Sequence, residues 1–161
     1  MVARILTVLA LFGLGLAAAA DAQPRRQPPY FASISASRAM MRTGPGRTYP
    51  GIWLYVRPDL PVRVVEVYQN WRKVEDPDGT QGWMLVNLLS DTRTAIVRGG
   101  VPVPMRASPD DDAAIRYRAA PGVVGRISRC GRGWCRFDVH GKAGYIRTSA
   151  LWGVGADEEV D

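Results

Sequence analysis

Two cysteines, one histidine and a handful of the 15 carboxylates are the side chains of this 161-residue chain first weighed for covalent or acid–base chemistry. Cys130 and Cys135 bracket Gly131-Arg132-Gly133-Trp134. Their C-x4-C spacing is not that of a C-x-x-C redox pair, and only His140 is present to activate a thiolate. Two cysteines and one histidine also fall short of four zinc ligands. A four-residue loop that turns back on itself can bring two sulfurs to bonding distance. In an oxidising compartment the pair therefore reads as a structural disulfide. Closing so short a loop contributes about 2 kcal/mol by the chain-entropy relation.

The remaining candidates are no stronger. His140 stands directly before Gly141, at the tip of a predicted hairpin, and has no serine partner in a nucleophile motif. Glycosidase chemistry needs a buried acid facing a second carboxylate across a cleft. Glu66, Glu75, Asp76 and Asp78 are expected on strands and turns of a domain too small for one. Asp110-Asp111-Asp112 and Asp157-Glu158-Glu159 lack calcium-loop spacing and read as a solvated loop and tail. No catalytic residue, metal site or cofactor is expected, and the chain is read as a binding protein, not an enzyme.

Aromatic residues offer a different chemistry. Along Ile52 to Val56 the period of two sets Trp53 and Tyr55 on one face and Ile52, Leu54 and Val56 on the other. With the aliphatic face as core, Trp53, Tyr55 and the preceding Tyr49 line an outer groove or meet a second domain. Such rings stack on sugars and flat peptide groups. Trp71, Trp83 and Trp134 are expected in the core, and Trp152 is expected to pack on the domain it closes.

The N-terminus sets the compartment. Arg4, the apolar run from Ile5 to Ala20 and Ala20-Asp21-Ala22 form a secretory leader with an A-x-A cleavage site. Sixteen apolar residues are short of the ~20 that cross a bilayer, and no later segment qualifies. The mature chain of 139 residues is expected to be exported, to the periplasm, with no membrane span. It keeps the net charge of +6 and is drawn to anionic surfaces. The cations, nearly all arginine, are scattered, which argues against a nucleic-acid stripe. Their local groups, Arg25-Arg26 and Arg126, Arg129, Arg132 and Arg136, read as solvated charge.

An internal duplication organises what lies between the leader and the tail. Met41-Arg42-Thr43-Gly44-Pro45 matches Met105-Arg106-Ala107-Ser108-Pro109. Trp71 matches Trp134, Gly82-Trp83 matches Gly144-Tyr145, and Leu89 matches Leu151. The offsets fall from 64 to 62 residues, as two single-residue indels would cause. Each copy reads as short β-branched and aromatic strands between turn signals, and none outside the leader has helical periodicity over three turns. Asp76-Pro77-Asp78-Gly79 and His140-Gly141 mark one hairpin in each copy.

With these motifs in view, the chain resembles the bacterial SH3-like (SH3b) domains, as tandem copies in exported Gram-negative proteins. The resemblance rests on MRTGPGRTYP at residues 41–50, LPVRVVEVYQNWRKVEDPDGTQGWM at 60–84 and NLLS at 87–90. MRASPD, CGRGWCRFDVHGKAGYI and SAL are weaker equivalents in copy two. It implies an all-β chain of two tandem small SH3-like β-barrels, residues 31–91 and 94–153; each alone has little core, so the two are expected to pack together. The leader (1–22) and a Pro/Arg-rich linker (23–30) precede them, and an acidic tail (154–161) follows, expected from its composition to be flexible from Gly155 on. It also implies non-catalytic binding in the cell envelope, with peptidoglycan or an envelope protein as partner and no nucleic acid. An adaptor, or the regulatory subunit of an envelope enzyme, is the alternative. The acidic-aromatic signature of eukaryotic proline-peptide binders is missing, so that ligand does not carry over. The residues expected to contact a ligand are Arg42, Arg47, Tyr49, Trp53 and Tyr55.

Overall fold

A computed structural model describes residues 26–161; the expected leader (1–22) and its expected cleavage site lie outside the described residues. The first copy runs β1 (Tyr30–Ile34), β2 (Ala39–Arg42), β3 (Gly51–Tyr55), β4 (Pro61–Tyr68), β5 (Trp71–Glu75), β6 (Gln81–Leu85) and β7 (Leu89–Ser90). The second runs β8 (Thr94–Val97), β9 (Val103–Arg106), β10 (Ile115–Ala119), β11 (Val124–Gly131), β12 (Trp134–Val139), β13 (Lys142–Arg147) and β14 (Leu151–Trp152). A 3₁₀ turn precedes the last strand of each, at Val86–Leu88 and Thr148–Ala150.

The two sheets have one topology, β3-β2-β6-β5-β4-β1-β7 and β10-β9-β13-β12-β11-β8-β14. The duplication read in the sequence is therefore a duplication of fold, and both indels fall in turns. One shortens the connection from β10 to β11, and the other shortens the hairpin between β12 and β13.

Alternation builds each core. In β4, Val62 and Val64 are fully buried while Arg63 and Val65 stay partly exposed. In β11 and β12, Ile127, Cys135 and Phe137 turn inward between Arg126 and Arg136. Trp71, Trp83 and Trp134 are buried as expected. Gly82 and Gly144 hold the same place in the two copies. A Cβ on Gly82 would lie 2.4 Å from Met41 Cγ, and one on Gly144 2.9 Å from Met105 Cβ. Neither β6 nor β13 could cross its neighbour so closely with a larger residue.

The barrels pack against each other. Phe31 of β1 and Trp152 of β14 meet edge to face at 5.3 Å between ring centroids. Arg93 lies 5.7 Å from the Phe31 ring. Ile96 and Val124 of the second copy pack on the first core. Trp152 thus contacts the other barrel through Phe31, where the sequence placed it on its own.

The tail departs from expectation more sharply. The flexibility expected from Gly155 on is not what the structure shows. Arg93 grips the Glu158 carboxylate with both terminal nitrogens, Nη2 at 3.0 Å, and donates from Nη2 to the Gly153 carbonyl at 2.9 Å. Val160 and Cys130 exchange backbone hydrogen bonds of 2.8 and 3.4 Å. A run of acids reads as solvated, but one of them has a largely buried arginine to pair with. Upstream, Arg26 lies 4.6 Å from the Tyr30 ring and 3.4 Å from Asp91, so this end of the linker also rests on the first barrel.

Candidate functional site

The disulfide Cys130–Cys135 joins the end of β11 to β12, with 4.1 Å between the Cα atoms. It closes the four-residue loop and holds the strand end to which Val160 pairs. His140 adopts the left-handed conformation expected of the hairpin tip, with φ of 50°.

The aromatic face of β3 is arranged differently from the period-two reading. Trp53 is 58% exposed, but Tyr55 is only 6% exposed and belongs to the core. On the supposed core face, Ile52 and Val56 are 43% and 64% exposed. The cause is the position of the strand. β3 is an edge strand paired only with β2, and its register slips between Met41↔Trp53 and Arg42↔Gly51. An edge strand with a bulge does not present one face to the core along its length. Only its Tyr55 end is covered.

Tyr55 is held there by charge as well as by packing. Its hydroxyl donates to Asp76 Oδ2 at 2.7 Å. Asp76 Oδ1 accepts the amides of Asp78 at 3.0 Å and Thr80 at 2.8 Å. Burial first, then the Asp76 carboxylate, push the Tyr55 phenol well above its usual range, so it remains a neutral donor.

Trp53 and Tyr55 stay close, with ring centroids 6.4 Å apart, on the wall of a cleft of about 520 Å³ between the barrels. The cleft also takes in Arg57, Asp76, Asp78 and Thr80 of the first barrel, with Ile96, Arg98 and Pro121 of the second. Arg57 Nη2 donates to the Gly122 carbonyl at 2.8 Å, and Arg98 to the Pro77 carbonyl. These two arginines tie the walls together. A single barrel is too small for such a cleft, and the sequence reading of Asp76 and Asp78 as lacking one is corrected by the pairing of two.

The other expected contact residues stand elsewhere. Arg42 Nη1 donates to the Tyr49 carbonyl at 2.7 Å, closing the long loop between β2 and β3. Arg106 does the same to Ala113 at 2.7 Å in the second copy. This duplicated contact makes Arg42 a loop clamp. The Tyr49 ring lies over Gly44 and Gly46, half exposed, and Arg47 is exposed at the loop tip. None of the three lines the cleft. Arg57, Arg98 and Pro121 do, and no local pattern marks them: Arg57 stands in the β3–β4 connection, and Arg98 and Pro121 come from loops of the other copy.

Two seven-stranded barrels in tandem, with an aromatic cleft at their junction, define the class. The family model described as bacterial SH3 domain matches residues 35–91 and 99–153, and the chain belongs to that family. None of the curated proteins compared with it matches. Among solved structures it is similar to NlpC1 from Trichomonas vaginalis at 14% identity and TM-score 0.36, over 81% of this chain and 48% of that one. NlpC2 from the same organism gives 14% and 0.35, over 79% and 49%. The chain spans about half the length of each.

Proposed function

We propose that this protein is a non-catalytic binding module of the bacterial cell envelope, exported to the periplasm, that takes peptidoglycan in the cleft between its barrels. One observation carries the reading. Trp53, a large apolar ring, stands 58% exposed on a concave wall that also presents guanidinium and carboxylate groups. Such a ring stacks on a sugar face, while Arg57, Arg98 and Asp78 offer partners to the charged ends of a stem peptide. The position equivalent to Tyr55 in copy two is Ala119, so the aromatic pair exists in one barrel only. Asp76 is engaged by three hydrogen bonds and is no free general acid, which supports a role without catalysis.

The test is retention of the oxidised protein on purified insoluble peptidoglycan at low and high salt. Salt-resistant retention that is lost in Trp53→Ala and kept in Tyr117→Ala, the equivalent exposed ring of copy two, is the expected result. Retention that salt abolishes would reduce the interaction to a cationic protein meeting an anionic polymer. No retention at all would favour the adaptor reading, for which edge strands β3 and β10 are open to strand addition.

A further inference from the structure

Arg57 also lines a second cleft, of about 800 Å³, between the β3–β4 corner and the outward face of β11 and β12. Arg57, Arg93, Arg126, Arg136 and His140 line it against two carboxylates, Asp59 and Asp138. Thr92 and Ser128 add hydroxyls.

The duplication supplies an internal control for this face. In copy one, Arg63 stands opposite Glu75 and donates to it at 2.9 Å. In copy two, Arg126 stands opposite Asp138 at the corresponding positions. There the carboxylate turns away. Asp138 Oδ1 accepts the Gly141 amide at 2.8 Å, and Oδ2 faces Arg136 at 3.4 Å. Arg126 is exposed and has no hydrogen-bond or ion-pair partner among the described residues. Next to this pair, Glu66 of copy one, 4.0 Å from Lys73, is replaced by Arg129 in copy two. One pair of strands thus carries a neutralised face in the first barrel and a cationic one in the second. The pairing of Arg63 with Glu75 recurs as that of Arg126 with Asp138, but the bulge moves, from between Val64 and Glu66 in copy one to between Ser128 and Gly131 in copy two, where Arg129 adopts a φ of 49°.

Guanidinium groups gathered in a concave site attract anions, and their forked donors match oxyanion geometry. Cations from the β3–β4 corner, β11 and β12 converge here with two hydroxyls. Arg57, Arg93 and Arg136 are already partly engaged, with the Gly122 carbonyl, Glu158 and Asp138, so the free donors are the Arg126 guanidinium, the remaining N–H groups of Arg57 and Arg136, and the two hydroxyls. A tetrahedral phosphate has enough acceptors to engage them. We infer that this cleft is an anion site for a phosphomonoester group, with Arg126 as its principal contact and Arg136 as its second. It shares Arg57 with the Trp53 cleft, but Arg126 and Arg136 lie outside that cleft and do not depend on its ligand.

The test titrates the oxidised protein with inorganic phosphate while following the backbone amides of Arg126 and Ser128 by NMR. A parallel arm measures retention on phosphatidylcholine vesicles with and without phosphatidic acid. Saturable binding is expected, weakened about ten-fold or more in Arg126→Ala. Arg118→Ala removes the same charge from the exposed strand β10 and is expected to change binding by less than about two-fold. Trp53→Ala should leave it intact. Retention on phosphatidic acid that phosphate competes away assigns the group to a lipid headgroup. Phosphate binding without vesicle retention assigns it to a soluble or polymer-borne phosphate. Equal losses in Arg126→Ala and Arg118→Ala, or no saturable shift at these amides, would overturn the site.

Discussion

The Tyr55 hydroxyl donates to Asp76 Oδ2 at 2.7 Å, and through that one carboxylate the edge strand β3 is fastened to the hairpin that follows β5. Tyr55→Phe should therefore cost about 1.5–3 kcal/mol, the range for a hydrogen bond to a charged group. Urea denaturation would measure it. The same bond makes a pH prediction. The phenol's folded pKa lies above its ordinary value of 10.0, so its contribution is complete below that pH and is lost as pH rises further. Above about pH 10 the wild type should lose stability faster than Tyr55→Phe, with a tyrosinate absorbance step that coincides with unfolding and is absent from the variant.

The Glu158 carboxylate lies where two opposing influences meet. Burial raises its pKa, but the hydrogen bond from Arg93, the Gly155 amide and the nearby guanidinium charges outweigh that and hold it below the ordinary 4.5. A depressed folded pKa gives stability that is present above the unfolded value and lost as pH falls through the folded one. Acidification below about pH 4.5 should therefore release the tail before the barrels open. Hydrogen exchange at the amides of Cys130 and Val160, which pair with each other, would report the release. In Glu158→Gln those amides should exchange fast already at neutral pH, with a loss of about 1–2 kcal/mol in stability. Slow exchange in that variant would mean that the Val160 pairing holds the tail without the ion pair.

How much of this was legible in the sequence depends on the range of the interactions. Strand existence, both hairpins, the buried tryptophans, the disulfide and the duplication are set by local patterns and by spacing along the chain, and all were readable. The orientation of β3 was not. Period-two alternation assumes a continuous register, whereas the slip between Met41 and Arg42 lies in the pairing with β2. Docking of the tail depends on Arg93 and Cys130, dozens of residues away, and acidic composition gives no hint of it. Both clefts lie between the copies. Their far walls follow from how two barrels dock, which neither barrel's pattern encodes.

That docking can be tested through Trp152. Its ring meets Phe31 edge to face at 5.3 Å, and Gly153 beside it sits so tightly that a Cβ there would lie 2.5 Å from the Thr94 carbonyl oxygen and 3.1 Å from Pro61 of the first barrel. Two domains of about 60 residues each have little core of their own, so the shared surface is a large fraction of what holds either together. Thermal unfolding of the wild type should therefore be one transition, with calorimetric and van't Hoff enthalpies equal. Trp152→Ala removes an aromatic contact and part of the shared apolar surface, about 2 kcal/mol together. The variant should show two transitions, and the Trp53 cleft, whose walls belong to different barrels, should lose its ligand even though every residue lining it is unchanged. Two transitions already in the wild type would mean that the barrels fold independently, and the cleft would then have to form anew each time they meet.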